Sequence, residues 1–240
     1  MDADSFVEYG QLAVAAQRAR RSLEDLRSNT PADGVITGLA TINAEQFGEA
    51  RAAAAVIVND YTVLAGTQGF FHHMKLDRII HVAMERQLPV VMFTEGGGGR
   101  PGDTDIQIGG GTLDVGSFVE WARLCASLPT IAVNNGYCFA GNAALFGCAD
   151  IRIATRSSWI GMAGPAMIEG GGLGQFSPRE IGPIEVQSKN AVVDLVADDE
   201  TQATSLAKQL LAYTQGDIAD WESAEQDTLR TVMPADRRYA

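Results

Sequence analysis

The sequence predicts an α/β protein in which buried strands alternate with helices across turns built from small residues. Three observations carry this reading. Leu88–Phe93, LPVVMF, is a continuous apolar run of the kind found in parallel strands covered on both faces. Pro129–Asn134 is a second such run, broken at Gly136 and followed by Ala140-Gly141-Asn142-Ala143-Ala144, almost bare of side chain, which leads into Leu145–Cys148. Ile151–Ala154 and Trp159–Ile168 repeat the order of apolar run, Gly164-Pro165 and apolar helix start. Two such units in succession predict stacked βα turns.

Taken in order, Gln11–Asn29 is rich in Ala, Arg and Glu and reads as a helix; Arg18, Arg20 and Arg21 on it form a solvated face or a phosphate site. Pro31–Gly34 is a turn signal, Val35–Asn43 alternates like a strand, and Glu45–Arg51 reads as a polar hairpin or loop. Ala52–Asn59 is an apolar strand, and the Gly-broken loop Tyr61–Gly69 opens a helix over Phe70–Arg86. On that helix His72 and Lys75 lie three apart and share a face, His73 has no partner that sequence can name, and His81 lies on a helix face. Asp105–Ser117 reads as a flexible connection, Phe118–Ser127 as a helix, Asn190–Val196 as an apolar run, and Thr201–Tyr213 as a helix with acidic residues at its start.

Composition bounds the function. A chain of 240 residues with 46% hydrophobic residues can bury one large core or two small ones, and 26 Gly suit many tight turns. The formal net charge of −12 argues against a nucleic-acid or anionic-membrane surface and makes an anionic ligand depend on a local basic patch. Cys125, Cys138 and Cys148 sit in apolar contexts without metal-like spacing and read as reduced, mostly buried thiols of a cytosolic protein. None of the three His has a metal-binding spacing, so no metal site is expected. No signal peptide opens the chain and no apolar run reaches membrane-spanning length.

Two Gly-rich turns carry the chemistry. The start of a helix leaves amide N–H groups without partners, and residues without side-chain branches let a ligand approach them. At Ala140-Gly141 this arrangement invites stabilisation of an oxyanion by backbone amides; the same small-residue start also serves simple packing. Thr94–Asp103 places four glycines, Gly96–Gly99, directly after a strand. It lacks the Gly-Lys-Ser/Thr of a Walker A loop and the dinucleotide Gly-x-Gly-x-x-Gly setting. No Ser/His/Asp, Cys/His or paired-carboxylate constellation stands out.

These residues carry a family resemblance. GYCFAGNAALFGCADIRIA followed by IGMAGPAMI resembles the N-terminal half of the biotin-dependent acyl-CoA carboxyltransferases of the crotonase superfamily. The phrases around Ser5-Phe6-Val7-Glu8, PADGVITGLATI, Ile181-Gly182-Pro183 and Met233–Ala240 are similar to the same family, so the likeness covers nearly the whole chain. It implies a crotonase-like (ClpP/crotonase) α/β spiral of stacked ββα units, with mixed parallel sheets and flanking helices. It also implies a single N-terminal domain over residues 1–240, the C-terminal, biotin-side half being absent from the chain. The amides of Ala140 and Gly141 would hold a thioester enolate, with Ala-Gly where many members have Gly-Gly. Gly98-Gly99-Arg100 matches part of a Gly-Gly-Ala-Arg segment and would border the acyl pocket. Lys75 would meet a CoA phosphate or a carboxylate, if it is not an ordinary surface lysine. Gly164 of the second turn is a further substrate contact.

The function implied is that of a carboxyltransferase component, cytoplasmic, which binds acyl-CoA and stabilises its enolate for carboxylation from carboxybiotin carried by a partner domain. Its expected partners are the C-terminal carboxyltransferase half, the biotin carboxyl carrier and the biotin carboxylase, in a homo-oligomer whose site spans a dimer interface. The chain alone is then expected to bind acyl-CoA without transferring carboxyl groups. Two other readings stay open. One is a crotonase-type enoyl-CoA hydratase, isomerase or thioester hydrolase, which needs a positioned carboxylate such as Glu95 or Glu169. The other is a non-catalytic acyl-CoA-binding or assembly domain.

Overall fold

A computed structural model describes residues 1–105, 115–217 and 227. In chain order its elements are β1 (Val7–Tyr9), α1 (Leu23–Asn29), β2 (Val35–Thr41), the one-turn helices α2 (Ala44–Phe47) and α3 (Glu49–Ala52), β3 (Ala53–Asn59), α4 (Phe70–Arg86), β4 (Val90–Phe93) and α5 (Gly116–Cys125). Then come β5 (Thr130–Asn134), β6 (Tyr137–Phe139), α6 (Gly141–Cys148), β7 (Ile151–Thr155), β8 (Trp159–Gly161), α7 (Pro165–Gly170), α8 (Ile184–Gln187), β9 (Leu195–Ala197) and α9 (Glu200–Ala212).

The main sheet has the order β1-β2-β3-β4-β5-β7-β9. β1, β2 and β3 pair antiparallel, and every later neighbour pairs parallel. β6 and β8 form a second, parallel sheet, and Gly96 extends it by bridging to Cys138. Each turn of the chain therefore lays one strand in the main sheet, crosses to the small sheet, and continues: β4 to Gly96, β5 to β6, β7 to β8. This is the expected α/β spiral with mixed sheets.

The central strands are apolar throughout because both of their faces are covered. Ala55, Ile57, Val90, Met92 and Ala132 face a core shared with Leu76, Ile79 and Ile80 of α4, Trp121 and Leu124 of α5, and Leu145 and Phe146 of α6. The alternate residues Ala54, Val56, Val91, Ile131, Val133 and Ile153 face a second core closed by Ala203, Ala207 and Leu211 of α9. The Phe70–Arg86 helix has the bounds expected of it.

Two stretches differ from expectation. The helix read over Gln11–Asn29 forms only from Leu23, where Ser22 caps it by accepting the Asp25 N–H. Upstream, tertiary bonds take the backbone instead: Arg18 and Ala19 donate to the Asp105 carboxylate and Ala15 to the Thr30 hydroxyl. Glu45–Arg51 is two helical turns and not a hairpin, separated at Gly48, whose φ of 77° ends the first turn. Most of the Asp105–Ser117 connection, and the Met233–Ala240 phrase, lie outside the described residues.

Candidate functional site

A cavity of about 1240 Å³ opens between α4, the Gly-rich segment after β4, β6 and the start of α7. Gly99, Arg100, Ala140 and Gly164 all line it, together with Gln68, His73, Asp77, Tyr137 and Phe139. Two candidate positions, Gly98 and Gly141, stand immediately behind this wall.

The Gly-rich segment is held open-handed by its neighbours. Gly96 donates to Tyr137 O at 2.8 Å, Gly97 to Ala65 O at 3.0 Å, Gly98 to Asn142 Oδ1 at 3.0 Å and Arg100 to Gln68 O at 2.9 Å. Among the described residues the Gly99 N–H alone in this run has no acceptor. Gly98 has to be glycine, since its φ is 86° and a Cβ there would stand 2.6 Å from the Ala140 Cβ. A Cβ on Gly99 would meet nothing within 4 Å, because that position faces open space.

At the start of α6 the structure divides the two expected donors. Ala140 takes φ 51° and ψ −118°, a conformation that favours glycine, and its N–H is spent on Gly161 O at 2.9 Å. It is therefore not a free oxyanion donor, which corrects the expectation. Gly141 is the first helical residue, so its N–H has no intrahelical acceptor, and none other is found among the described residues. Its nitrogen lies 3.5 Å from the point where a Cβ on Gly98 would stand. The unspent amides of the two turns, Gly99 and Gly141, thus lie close together with a helix N-terminus behind one of them.

Arg100 and Lys75 are turned to structural work. The Arg100 side chain is 2% exposed, paired with Asp33, 3.6 Å from Asp103, and donates to the Thr67 carbonyl at 2.7 Å. It clamps the Gly-rich segment onto the Pro31–Gly34 turn instead of offering its charge to a ligand. Burial pushes the Asp33 carboxyl up, against the Arg100 charge and the His72 N–H that favour its ionised form. Lys75 is neither a surface lysine nor a cavity residue. It is buried, its Nζ donates to Ala32 O at 2.9 Å and also to Val35 O, and burial lowers its pKa to about 8. The physical reason is the α4 face it occupies, which packs on the Pro31–Gly34 turn. His72 shares that burial: among the described residues both ring nitrogens lack partners, and desolvation drops its pKa to about 3.

The carboxylates named for a hydratase do not line the cavity. Glu95 is turned back to the Asn135 N–H, and burial raises its pKa; Glu169 lies exposed on α7, where Gln175 Nε2 donates to it at 2.6 Å. Of the thiols, Cys138 is buried, Cys125 half-buried and Cys148 exposed, against the expectation that most are buried.

Sequence reasoning passed over two features of the wall. Gln68 is buried, with Nε2 lacking an acceptor among the described residues. His73, Ser117 and Asp77 form a hydrogen-bonded chain: His73 Nδ1 stands 3.0 Å from Ser117 Oγ, which donates to Asp77 Oδ1. The four-residue spacing of His73 and Asp77 was the available signal, since it puts both on one face of α4. Among the described residues no group of three or more His, Cys, Asp or Glu could hold a metal ion.

Comparison with known proteins gives a consistent picture. Residues 1–239 match the family described as the carboxyl transferase domain. A solved single-chain, multi-domain long-chain acyl-CoA carboxylase is 56% identical, superposes with a TM-score of 0.89, and is matched over 99% of this chain and 23% of its own. The methylmalonyl-CoA carboxyltransferase 12S subunit of Propionibacterium freudenreichii subsp. shermanii is 28% identical over 98% of this chain and 44% of its own length. The propionyl-CoA carboxylase beta chain of Roseobacter denitrificans is 27% identical over 79% of this chain and 36% of its own. The chain thus spans less than half the length of these three relatives. With the spiral fold and the two amide-bearing turns in place, the chain belongs to the carboxyl transferase domain family.

Proposed function

We propose that this chain is the acyl-CoA-binding part of a biotin-dependent acyl-CoA carboxyltransferase. The observation that carries the reading is the pair of unspent amides, Gly99 at the wall of the large cavity and Gly141 immediately behind it. An acyl-CoA thioester placed there would direct its carbonyl oxygen at these donors, and they would stabilise the enolate more than the ground state, because the charge develops on that oxygen. Losing one such donor costs about 2.7–4 kcal/mol of transition-state stabilisation in other enzymes. Tyr137, Phe139 and Met167 supply apolar wall for the acyl group.

Unspent N–H donors suit an anionic enolate, and so fit a reaction in which carboxybiotin, carried by a partner, supplies the carboxyl group. Further partners on this reading are the biotin-side carboxyltransferase half, the carrier and the carboxylase, in an oligomer. The free thiols fit the reducing cytoplasm expected for the reaction. A hydratase or isomerase is disfavoured by the placement of Glu95 and Glu169 away from the cavity.

The test is calorimetry of the chain with acetyl-, propionyl- and longer acyl-CoA, beside Gly99→Ala. The added methyl has open space, so the circular dichroism should be unchanged while it obstructs approach to the amide. Saturable binding by the parent, weakened about tenfold or more by Gly99→Ala, is expected, equivalent to about 1.4 kcal/mol. No binding, or equal binding by the variant, sinks the assignment of this site.

A further inference from the structure

We infer that the side chain of Gln68 is a third hydrogen-bond donor of this site, which turns its amide group to the thioester oxygen beside the Gly99 and Gly141 amides. The inference rests on the acyl-CoA reading above and adds a side chain to a recognition otherwise built from backbone.

The backbone sets Gln68 between the two turns. Its N–H donates to Gly98 O at 2.7 Å and its carbonyl accepts from the Arg100 N–H at 2.9 Å, so it pairs with Gly99 as a parallel bridge. Its side chain then runs across to the start of α6, where a Cβ on Gly141 would collide with Gln68 Oε1. One carboxamide therefore adjoins both positions whose N–H groups are unspent. Glycine at 141 is what admits it, since any larger residue would push the carboxamide aside.

The carboxamide has no work in the fold. Gln68 is 3% exposed and lines the cavity. Sealed side-chain polar atoms without a partner are few among the described residues: Asn59 Oδ1, Gln68 Nε2 and the two ring nitrogens of His72. Of these three residues Gln68 alone stands on the cavity wall. No hydrogen bond from a described residue holds either end of its side chain. The neighbouring carboxamide of Asn142 shows the contrast. It is fully buried too, yet its Oδ1 accepts from the Gly98 N–H at 3.0 Å and its Nδ2 donates to Gly66 O and Glu95 O at 3.4 Å. Asn142 holds the Gly-rich segment in place, and Gln68 holds nothing. A buried amide without an acceptor costs the fold stability, which an apolar side chain of the same length would not.

A half-turn about the terminal torsion exchanges the N–H2 and the oxygen with little change of shape. It carries the N–H2 to the start of α6, beside the Gly141 amide. A thioester oxygen that accepts from Gly99 and Gly141 stands there, and supplies the acceptor that the protein does not. As the enolate forms, that oxygen gains charge and a further lone pair, so the third donor binds it more strongly than it binds the ground state. Gln68 polarises the oxygen and transfers no proton.

The experiment compares two ligands by calorimetry on the parent chain and on Gln68→Met: butyryl-CoA, and S-butyl-CoA, the thioether that has no carbonyl oxygen. The variant keeps the length of the side chain and loses its amide; circular dichroism checks the fold. Binding of butyryl-CoA is expected to fall about three- to tenfold, the range for one neutral hydrogen bond, while that of S-butyl-CoA stays within about twofold. Isotope-difference infrared spectra of bound butyryl-CoA, labelled at its carbonyl carbon, give a second reading. The carbonyl stretch should rise in frequency in Gln68→Met, because a donor to the oxygen has been lost. An equal change for the two ligands, or a carbonyl stretch that does not move, overturns the inference and leaves the acyl-CoA reading standing. Should Gln68→Met not fold, Gln68→Leu is read in its place; if neither apolar residue is tolerated, the fold itself needs the carboxamide and the inference is overturned. Absence of butyryl-CoA binding by the parent overturns the acyl-CoA reading and this inference with it.

Discussion

Arg100 and Asp33 are nearly inaccessible to solvent, so the effect of cutting their contact is set by desolvation and not by the modest attraction of a surface pair. Arg100→Ala leaves the Asp33 charge buried without its partner and is expected to destabilise the chain by about 3–5 kcal/mol. Urea unfolding monitored by circular dichroism checks this; a loss below about 1 kcal/mol would mean that the clamp is dispensable. His72 gives a pH signature of its own. Its pKa in the fold is about 3 against an ordinary 6.5, because burial excludes the charged ring. Between those values the unfolded chain binds the proton and the folded chain does not, so stability present above pH 6.5 is lost as the pH falls toward 3. The stability difference between the parent and His72→Leu should therefore shift by about 2.5 kcal/mol, in favour of the variant, from pH 7 to pH 4.5. Parallel pH curves for the two chains would contradict the assignment.

At the level of elements, the site depends on how α5 and α6 are locked together. Trp121 is fully buried, and its Nε1–H donates to Leu145 O at 2.9 Å, tying the helix that carries Ser117 to the helix that carries Gly141. Trp121→Ala is expected to cost about 3–5 kcal/mol through the cavity it leaves and the carbonyl it strands. The midpoint of denaturation reports the cost. If Trp121→Ala keeps parental stability, α5 is not part of the common core. The small sheet has a comparable role: the bridge from Gly96 to Cys138 aligns the Gly-rich segment with β6 and so sets the two amide-bearing turns side by side.

For the molecule as a whole, a net charge of −12 opposes the approach of a phosphate-rich ligand. Among the described residues Arg100 is the one Lys or Arg on the cavity wall, and it is already paired. At the rim, however, the exposed Arg20 lays its guanidinium against Gly102, 2.7 Å from where a Cβ there would stand. Of the arginine cluster, Arg21 is engaged with Asp25 and Arg18 lines a separate recess beside Leu12 and Phe71, so Arg20 is the member placed to meet a phosphate. Arg20→Ala is expected to weaken acyl-CoA binding by about 1.5–3 kcal/mol, the range for a charge-assisted hydrogen bond. Binding of the matching acyl-pantetheine, which lacks the nucleotide phosphates, should not change. Equal loss for both ligands would place the phosphates elsewhere.

The sequence by itself determined the strands, the α/β class, the family and the two turns from which the candidate amides come. These are local properties: apolar runs, glycines at positions that exclude a Cβ, and a helix start without side chains. Tertiary structure alone decided which amides remain unspent. Ala140 and Gly141 are adjacent in the chain, yet Gly161 from the next turn of the spiral takes the N–H of the first and leaves that of the second. It also turned Arg100 and Lys75 inward, because the Pro31–Gly34 turn and the first residue of β2 supply Asp33 and the carbonyls of Ala32 and Val35, which no spacing within 75–100 announces. It brought Ser117 to His73 and Asp77 across some 40 residues. Periodicity reports which face a residue occupies; what waits opposite that face is set by the packing of distant elements.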